Sequence, residues 1–135
     1  MEPKPKIRGV LLDTVKDKVE VVEFEPTLEN YYRMLHCDMI EIAVRKIGVR
    51  NGKVFDIVCD EEGLFKQDNK ISAINDLGKV MLVGSLLIVG LADEEGDETS
   101  LSEADALYVQ RFIQKMHTTM HPEGYMMLTQ CEYAR

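Results

Sequence analysis

Two runs of residues on either side of an Asn-Gly pair constrain the fold more than any other local feature. The first run, residues 39–45, alternates between apolar and polar side chains along most of its length, and the second run is residues 54–59. Asn51-Gly52 lies between them, and this dipeptide accepts the positive φ angles of a tight hairpin turn. The pattern predicts two antiparallel strands joined by a short connection.

The residues before this hairpin predict another strand pair and a helix. The runs 7–12 and 19–24 are rich in β-branched and aliphatic residues and flank a polar turn, which is typical of a hairpin. Pro26-Thr27 follows, and threonine is a residue type that caps helix N-termini. Apolar residues then recur at helical spacing. We predict a helix that starts at Thr27 and ends near residues 36–38.

The second half of the chain predicts one long strand and one helix. Residues 64–77 contain several turn-forming residues, so we expect a loop there. Residues 79–91 are rich in Val, Leu and Ile, which favours a single buried strand, bent at Gly84. Ser102 is followed by two acidic residues in a first helical turn, which is typical of a helix start. We expect this helix to end near His117.

These elements predict an α+β fold, with a mostly antiparallel sheet of about five strands and two helices packed on one face. We assign residues 1–117 to this single domain and residues 118–135 to a C-terminal tail that could dock on it. Within the tail, residues 125–128 read Tyr-Met-Met-Leu. This short apolar run could form an edge strand or cover a partner.

The composition bounds the class of protein. The chain has 135 residues, of which 45% are hydrophobic, and this is enough for one ordinary core. Its longest apolar stretch lies within residues 80–92 and is shorter than the ~20 residues of a membrane-spanning helix. The N-terminal residues lack the apolar segment of a signal peptide, and three cysteines without CxxC spacing fit a reducing compartment. We expect a soluble, cytoplasmic protein.

The net charge of −8 disfavours direct binding to nucleic acid. The chain has 24 acidic against 16 basic residues and no basic stripe that would contact a row of phosphates. An acidic surface permits a basic protein partner. We therefore expect a protein partner and no membrane association, and the sequence leaves a homo-oligomer open.

No residue pattern predicts a catalytic, metal or cofactor site. His36, Cys37, Cys59, His117 and His121 are residue types that bind zinc, but their spacing matches no zinc finger or ribbon. The chain contains no G-x-S-x-G nucleophile turn and no phosphate-binding glycine loop. We expect no metal, no cofactor and no enzyme activity.

Two surface features are candidate binding sites. The first combines an acidic loop, with five carboxylates in six residues, with two tyrosines of the first helix. Its candidate partner-binding residues are Asp93, Glu94, Glu95, Asp97, Glu98, Tyr31 and Tyr32. The second is a basic cluster around the Asn-Gly turn, which could bind an anionic small molecule. Its candidate ligand-binding residues are Arg45, Lys46, Arg50 and Lys53.

Four motifs in order resemble an uncharacterised bacterial and phage family, known only as a numbered domain of unknown function. They are the strand 19–24 with Thr27-Leu28, the turn Asp60-Glu61-Glu62-Gly63, the Val-Gly…Val-Gly segment 83–90, and Thr99-Ser100-Leu101-Ser102. The resemblance covers residues 7–117. In that family the first helix usually runs into a Gly-Gly and a strand, whereas His36-Cys37-Asp38 occupies this place here.

The resemblance implies a setting in phages, conjugative elements or gut bacteria, and it carries no catalytic residues. Small accessory proteins of mobile elements often bind and block a host protein. Our first hypothesis is therefore a non-enzymatic binding protein of a mobile element that regulates or inhibits a host protein. The alternatives are an oligomer that binds a small ligand, such as a nucleotide signal, and an enzyme of unknown type, which the lack of catalytic motifs disfavours.

Overall fold

A computed structural model describes residues 4–63, 66 and 70–134 of the chain. Ten strands and two helices lie in these ranges. In chain order they are β1 (Ile7–Asp13), β2 (Lys18–Phe24), α1 (Leu28–Leu35), β3 (Ile40–Ile47), β4 (Lys53–Asp60), β5 (Ile71–Ile74), β6 (Val80–Val83), β7 (Leu86–Val89), α2 (Glu103–Arg111), β8 (Ile113–Met116), β9 (Tyr125–Leu128) and β10 (Cys131–Tyr133).

The strands form two sheets, whereas we predicted one sheet of about five strands. The larger sheet has six antiparallel strands in the order β10-β3-β4-β7-β1-β2. The smaller sheet has four strands in the order β6-β5-β9-β8, and it is mixed because β5 and β9 run parallel. The α+β class is confirmed, and the number of sheets and strands was wrong.

Both predicted hairpins are confirmed. β1 pairs with β2 over their full length, and β3 pairs with β4 from Ile40 opposite Asp60 to Ile47 opposite Lys53. The connection is residues 48–52, in which Gly48 and Asn51 have positive φ angles of 104° and 52° and Gly52 does not, so it is longer than the two-residue Asn-Gly turn. Local turn chemistry therefore determines these two pairings.

The predicted single strand 79–91 is instead two strands that belong to different sheets. β6 lies at the edge of the small sheet, and β7 lies in the middle of the large one. Gly84 joins them with a φ of 79°, a conformation that side chains disfavour, and its amide donates to Lys70 O at 2.8 Å. The expected bend at Gly84 is thus a change of sheet. The strand β5 also lies within 64–77, which we predicted as a loop; residues 64, 65 and 67–69 of that loop are outside the described ranges.

Both helices start where the sequence predicts. The Thr27 hydroxyl accepts from the amide of Asn30, and the Ser102 hydroxyl accepts from the amide of Asp105. The first helix ends at Leu35, close to the predicted end near residues 36–38, and His36 follows it in the left-handed conformation. The second helix was predicted too long, because it ends at Arg111 and the chain continues as β8.

Residues 118–135 contribute a strand to each sheet. β9 pairs antiparallel with β8 and parallel with β5, so it is an interior strand, whereas we had considered an edge strand or a cover for a partner. β10 pairs with β3 and forms one edge of the large sheet. Pairing with β9 extends the chain at residues 113–116, where apolar spacing alone favoured a helix.

The two helices lie on opposite faces of the six-stranded sheet, whereas we predicted both on one face. On one face, which we call the α1 face, Leu11, Val58 and Leu87 pack with buried side chains of α1. On the other, the inner face, Leu12, Ile57 and other residues pack with α2 and the small sheet. The structure therefore has three layers. Neither helix in the described ranges is long and apolar enough to cross a membrane.

We predict that shortening a β7 side chain on either face of the sheet destabilises the protein. Leu86 points to the inner core, Leu87 points to the α1 core, and both side chains are fully buried. Leu86→Ala and Leu87→Ala should each lower the free energy of unfolding by about 2–5 kcal/mol in urea titrations. The control, Leu107→Ala, removes a side chain that is 62% exposed and should change it by less than about 0.5 kcal/mol. A small effect at either β7 position would contradict the three-layer arrangement.

Candidate functional site

The α1 face of the large sheet is covered unevenly. Helix α1 packs mainly against β1 and β4, and Ile40 is the β3 residue that packs with its core. Ile42 and Val44 project from this face, since Ile40 two residues earlier packs against the α1 core, and they are 39% and 42% exposed. The open part of the face is therefore an apolar strip.

Asp56 connects this strip to the acidic loop. It lies opposite Val44 in the β3–β4 pair and opposite Val89 in the β4–β7 pair, and it is buried. One carboxylate oxygen accepts the amide of Ala92 at 2.9 Å. Burial raises the pKa of Asp56, and the Ala92 amide lowers it by less. This bond places the start of the acidic loop beside Val44.

Asp93 shapes the acidic loop from within. Its Oδ1 accepts the amides of Glu95 and Asp97, its carbonyl accepts the amide of Gly96, and its own amide donates to Asp97 O. The backbone is therefore fixed in a tight turn. Glu94, Glu95 and Asp97 point into solvent, and Lys4 lies 3.9 Å from Asp97.

The end of the acidic loop is attached to α1. The buried hydroxyl of Tyr31 donates to Glu98 Oε1 at 2.9 Å, and its ring stacks edge-on against Phe24 at 5.8 Å. Burial and the Glu98 carboxylate raise the pKa of Tyr31 well above its usual range. Tyr31 thus positions the loop from the core and is not itself exposed, while Tyr32 is half-buried against the same core.

The predicted partner-binding residues therefore divide into two groups. Asp93, Glu98 and Tyr31 hold the loop in place through internal hydrogen bonds. The exposed carboxylates follow Ala92, whose bond to Asp56 attaches the loop to the sheet face that also carries two exposed apolar residues, Ile42 and Val44, which we did not predict as contacts. We call the combined set the β3–loop surface: Ile42, Val44, Glu94, Glu95 and Asp97.

The four basic candidates do not converge on one site. Lys53 forms an ion pair with Asp105 at 2.8 Å and also lies over the Tyr108 ring. Arg45 stacks on Tyr133 on the inner face, and Lys46 points to the α1 face. Of the four, Arg50 alone lines a cavity of about 720 Å³ between the β3–β4 and β5–β6 turns.

The five candidate zinc ligands also do not come together at one site. Cys37 and Cys59 are buried, and burial raises the pKa of the Cys59 thiol to about 12. The His117 ring bonds Pro122 O at 2.7 Å, and His121 lies 3.5 Å from a Glu123 carboxylate. In the described part of the chain, no three His, Cys, Asp or Glu residues are arranged to hold a metal ion.

A second polar feature was missed by the sequence analysis. Asp13 is buried beside a cleft of about 520 Å³ between α1 and the β1–β2 hairpin, and His36 Nε2 lies 3.3 Å from its carboxylate. The same carboxylate accepts the amides of Val15 and Lys16. Asp13 therefore links the β1–β2 turn to the end of α1 through these contacts. These partners are 23 residues apart, so no local spacing could have indicated the contact.

Residues 7–117 match the domain of unknown function DUF3846. The chain belongs to the DUF3846 family. No curated protein and no solved structure matches it. The family match ends at β8, whereas β9 and β10 come from the residues that follow and complete both sheets of this DUF3846 protein.

We predict that Asp56 and Asp13 affect stability with opposite sign. The pKa of Asp56 is raised in the folded state, so ionisation above the unfolded value of about 3.9 destabilises the fold. Asn can still accept the Ala92 hydrogen bond. Asp56→Asn should therefore be more stable than the wild type at pH 7, and urea titrations should show this advantage shrinking towards pH ~4.

Asp13 is the internal comparison. Burial raises its pKa. The Lys16 amide, His36 and the Val15 amide together lower the pKa by more than burial raises it, so the pKa in the folded state lies below the ordinary value. The ionised form is then stabilising above about pH 4, and this contribution is lost as the pH falls through the folded pKa. Asp13→Asn should be less stable than the wild type at pH 7 and approach it in acid. The same sign for both variants would contradict these environments.

Proposed function

We propose that this DUF3846 protein is a non-enzymatic binding protein that regulates or inhibits a host protein, and that the β3–loop surface is its contact. The observation that carries the proposal is that exposed Ile42 and Val44 lie on the sheet face where the Ala92–Asp56 hydrogen bond anchors an acidic loop of fixed conformation. The proposed setting in a phage or mobile element rests on the sequence motifs that resemble proteins from such elements.

The apolar strip supplies the driving force for association. Covering Ile42 and Val44 removes apolar area from water, worth roughly 25 cal/mol per Å² before the costs of association. Specific interfaces have such an apolar centre, depleted of charge, inside a polar rim. Here Glu94, Glu95 and Asp97 form the rim on one side.

The acidic loop supplies selectivity. Because Asp93 and Tyr31 fix the loop at its start and end, little conformational entropy is lost when a partner binds it. Exposed carboxylates attract a basic partner and speed its association, and the effect weakens as salt increases. The proposed partner therefore presents an apolar spot beside Lys or Arg side chains. We assign no reaction to this surface, whose exposed groups are aliphatic side chains and carboxylates.

The test uses the tagged 135-residue chain as bait in lysate of a bacterial host, with quantitative mass spectrometry of captured proteins. A partner of the β3–loop surface should be retained by the wild type and lost at least about tenfold from two variants. One is Ile42→Ser with Val44→Ser, and the other is Glu94→Lys with Glu95→Lys and Asp97→Lys. Capture should also decrease with added salt.

The matched control carries Leu107→Ser with Glu103→Lys. These residues are exposed on α2, on the opposite side of the large sheet. The control should capture the same protein as the wild type. Equal capture by the wild type, both surface variants and the control would remove the β3–loop surface as the contact. Capture of no protein from any host lysate would count against the binding function itself.

A further inference from the structure

We infer that the cavity of about 720 Å³ between the β3–β4 and β5–β6 turns is a binding site for a nucleotide. This site goes beyond the proposed protein-binding function, and it shares no residue with the β3–loop surface. Strand β8 and the connection between β9 and β10 complete its lining. Its volume lies within the range of roughly 300–1,000 Å³ that is usual for small-molecule sites.

Hydrogen bonds fix the wall of the cavity that the β3–β4 connection forms. The Gln130 carbonyl accepts the amide of Gly48 at 2.9 Å, and the Gln130 Oε1 accepts the amide of Val49 at 2.9 Å. Gln130 itself has a φ of 53°, which non-glycine residues disfavour. Phe112 O accepts the amide and the hydroxyl of Thr129 at 2.7 and 2.8 Å. Because this wall is already ordered, a ligand loses little affinity to ordering it.

Two carboxamide side chains offer hydrogen-bond donors to the cavity. Asn75, on the β5–β6 side, is buried, and its Oδ1 accepts the amides of Leu77 and Lys79 at 2.9 and 2.8 Å. Its Nδ2 has no hydrogen-bond partner in the described part of the chain and keeps access to the cavity that Asn75 lines. Gln130 is arranged alike, since Val49 occupies its oxygen and its Nε2 has no partner among the described residues. Both nitrogens therefore favour a ligand with acceptor atoms.

The charged residues of the lining select the ends of the ligand. Arg50 and Asp76 are exposed, and within the described ranges neither side chain forms an ion pair or a hydrogen bond. The planar guanidinium of Arg50 suits a phosphate group, which it binds with two parallel hydrogen bonds. The Asp76 carboxylate accepts from hydroxyl groups. One phosphate needs one such cation, so the site does not require the basic stripe of a nucleic-acid-binding protein.

The remaining lining is largely apolar and suits a flat ring. Ile74, Phe112 and Met116 are half-buried along the cavity, and Val49 is 53% exposed beside it. A ring that covers these side chains removes apolar area from water. A nucleotide combines the required groups in one small molecule: a ring with acceptor atoms for the carboxamides, hydroxyl groups for Asp76 and a phosphate for Arg50.

The test titrates the 135-residue protein with adenosine, guanosine, cytidine and uridine monophosphate, each to about 5 mM, in calorimetry and heteronuclear NMR. At least one nucleotide should bind with a Kd below about 1 mM and shift the side-chain NH₂ signals of Asn75 and Gln130. The matching nucleoside and inorganic phosphate should each bind at least about tenfold more weakly, because each makes only part of the contacts. These comparisons between ligands do not depend on how a variant folds.

Variants with matched controls place the ligand in the cavity. Arg50→Ala should weaken nucleotide binding by about tenfold or more and leave nucleoside binding unchanged. Lys46→Ala removes the same charge from the same hairpin on the α1 face and should bind within about twofold of the wild type. Gln114→Trp fills the cavity from the exposed surface of β8 and should abolish binding. Lys115→Trp puts the same ring on the next residue, outside the lining, and should not.

Several outcomes would overturn the inference. They are the absence of binding by all four nucleotides at about 5 mM, equal affinity of Gln114→Trp and Lys115→Trp, and chemical-shift changes confined to residues outside the cavity. The variant Ile42→Ser with Val44→Ser should bind the nucleotide as the wild type does. Failure of the lysate capture would therefore leave this site standing, and failure of nucleotide binding would leave the β3–loop surface standing.

Discussion

Burial of β7 on both faces is the constraint on which the rest of the structure depends. All four of its side chains are fully buried, two in each core, and the strand pairs with β1 on one side and β4 on the other. Each hairpin thereby gains a fixed place in one sheet. Gly84 makes this possible, because its positive φ lets the chain leave the small sheet at Val83 and enter the large one at Leu86.

The parts of the fold that could be predicted are those encoded by neighbouring residues. The β3–β4 hairpin and the caps at Thr27 and Ser102 depend on turn and cap chemistry within a few positions. The division of residues 79–91 between two sheets depends on distant strands, and a continuous apolar run looks the same in either case. β8 also depends on a distant strand. It is extended because it pairs with β9, which lies beyond the next turn.

The candidate site divides in the same way. Five carboxylates in six residues indicate an exposed acidic loop, and Glu94, Glu95 and Asp97 are exposed there. The Tyr31–Glu98 and Asp56–Ala92 contacts join positions 67 and 36 residues apart, so spacing could not indicate them. The alternation of apolar and polar residues in 39–45 predicted a strand. Which face of that strand stays uncovered depends on where α1 packs, and the local sequence does not indicate this.

Three features that do not favour stability meet around β3. Asp56 is a buried carboxylate with a raised pKa, Arg45 keeps a buried Nε without a partner, and Ile42 and Val44 leave aliphatic surface in water. Their concentration on one strand and its neighbour, beside a loop held in one conformation, is the arrangement expected where stability is lost locally to keep a surface ready for binding. A partner on the β3–loop surface would cover the aliphatic side chains of Ile42 and Val44, so binding would relieve one of the three costs.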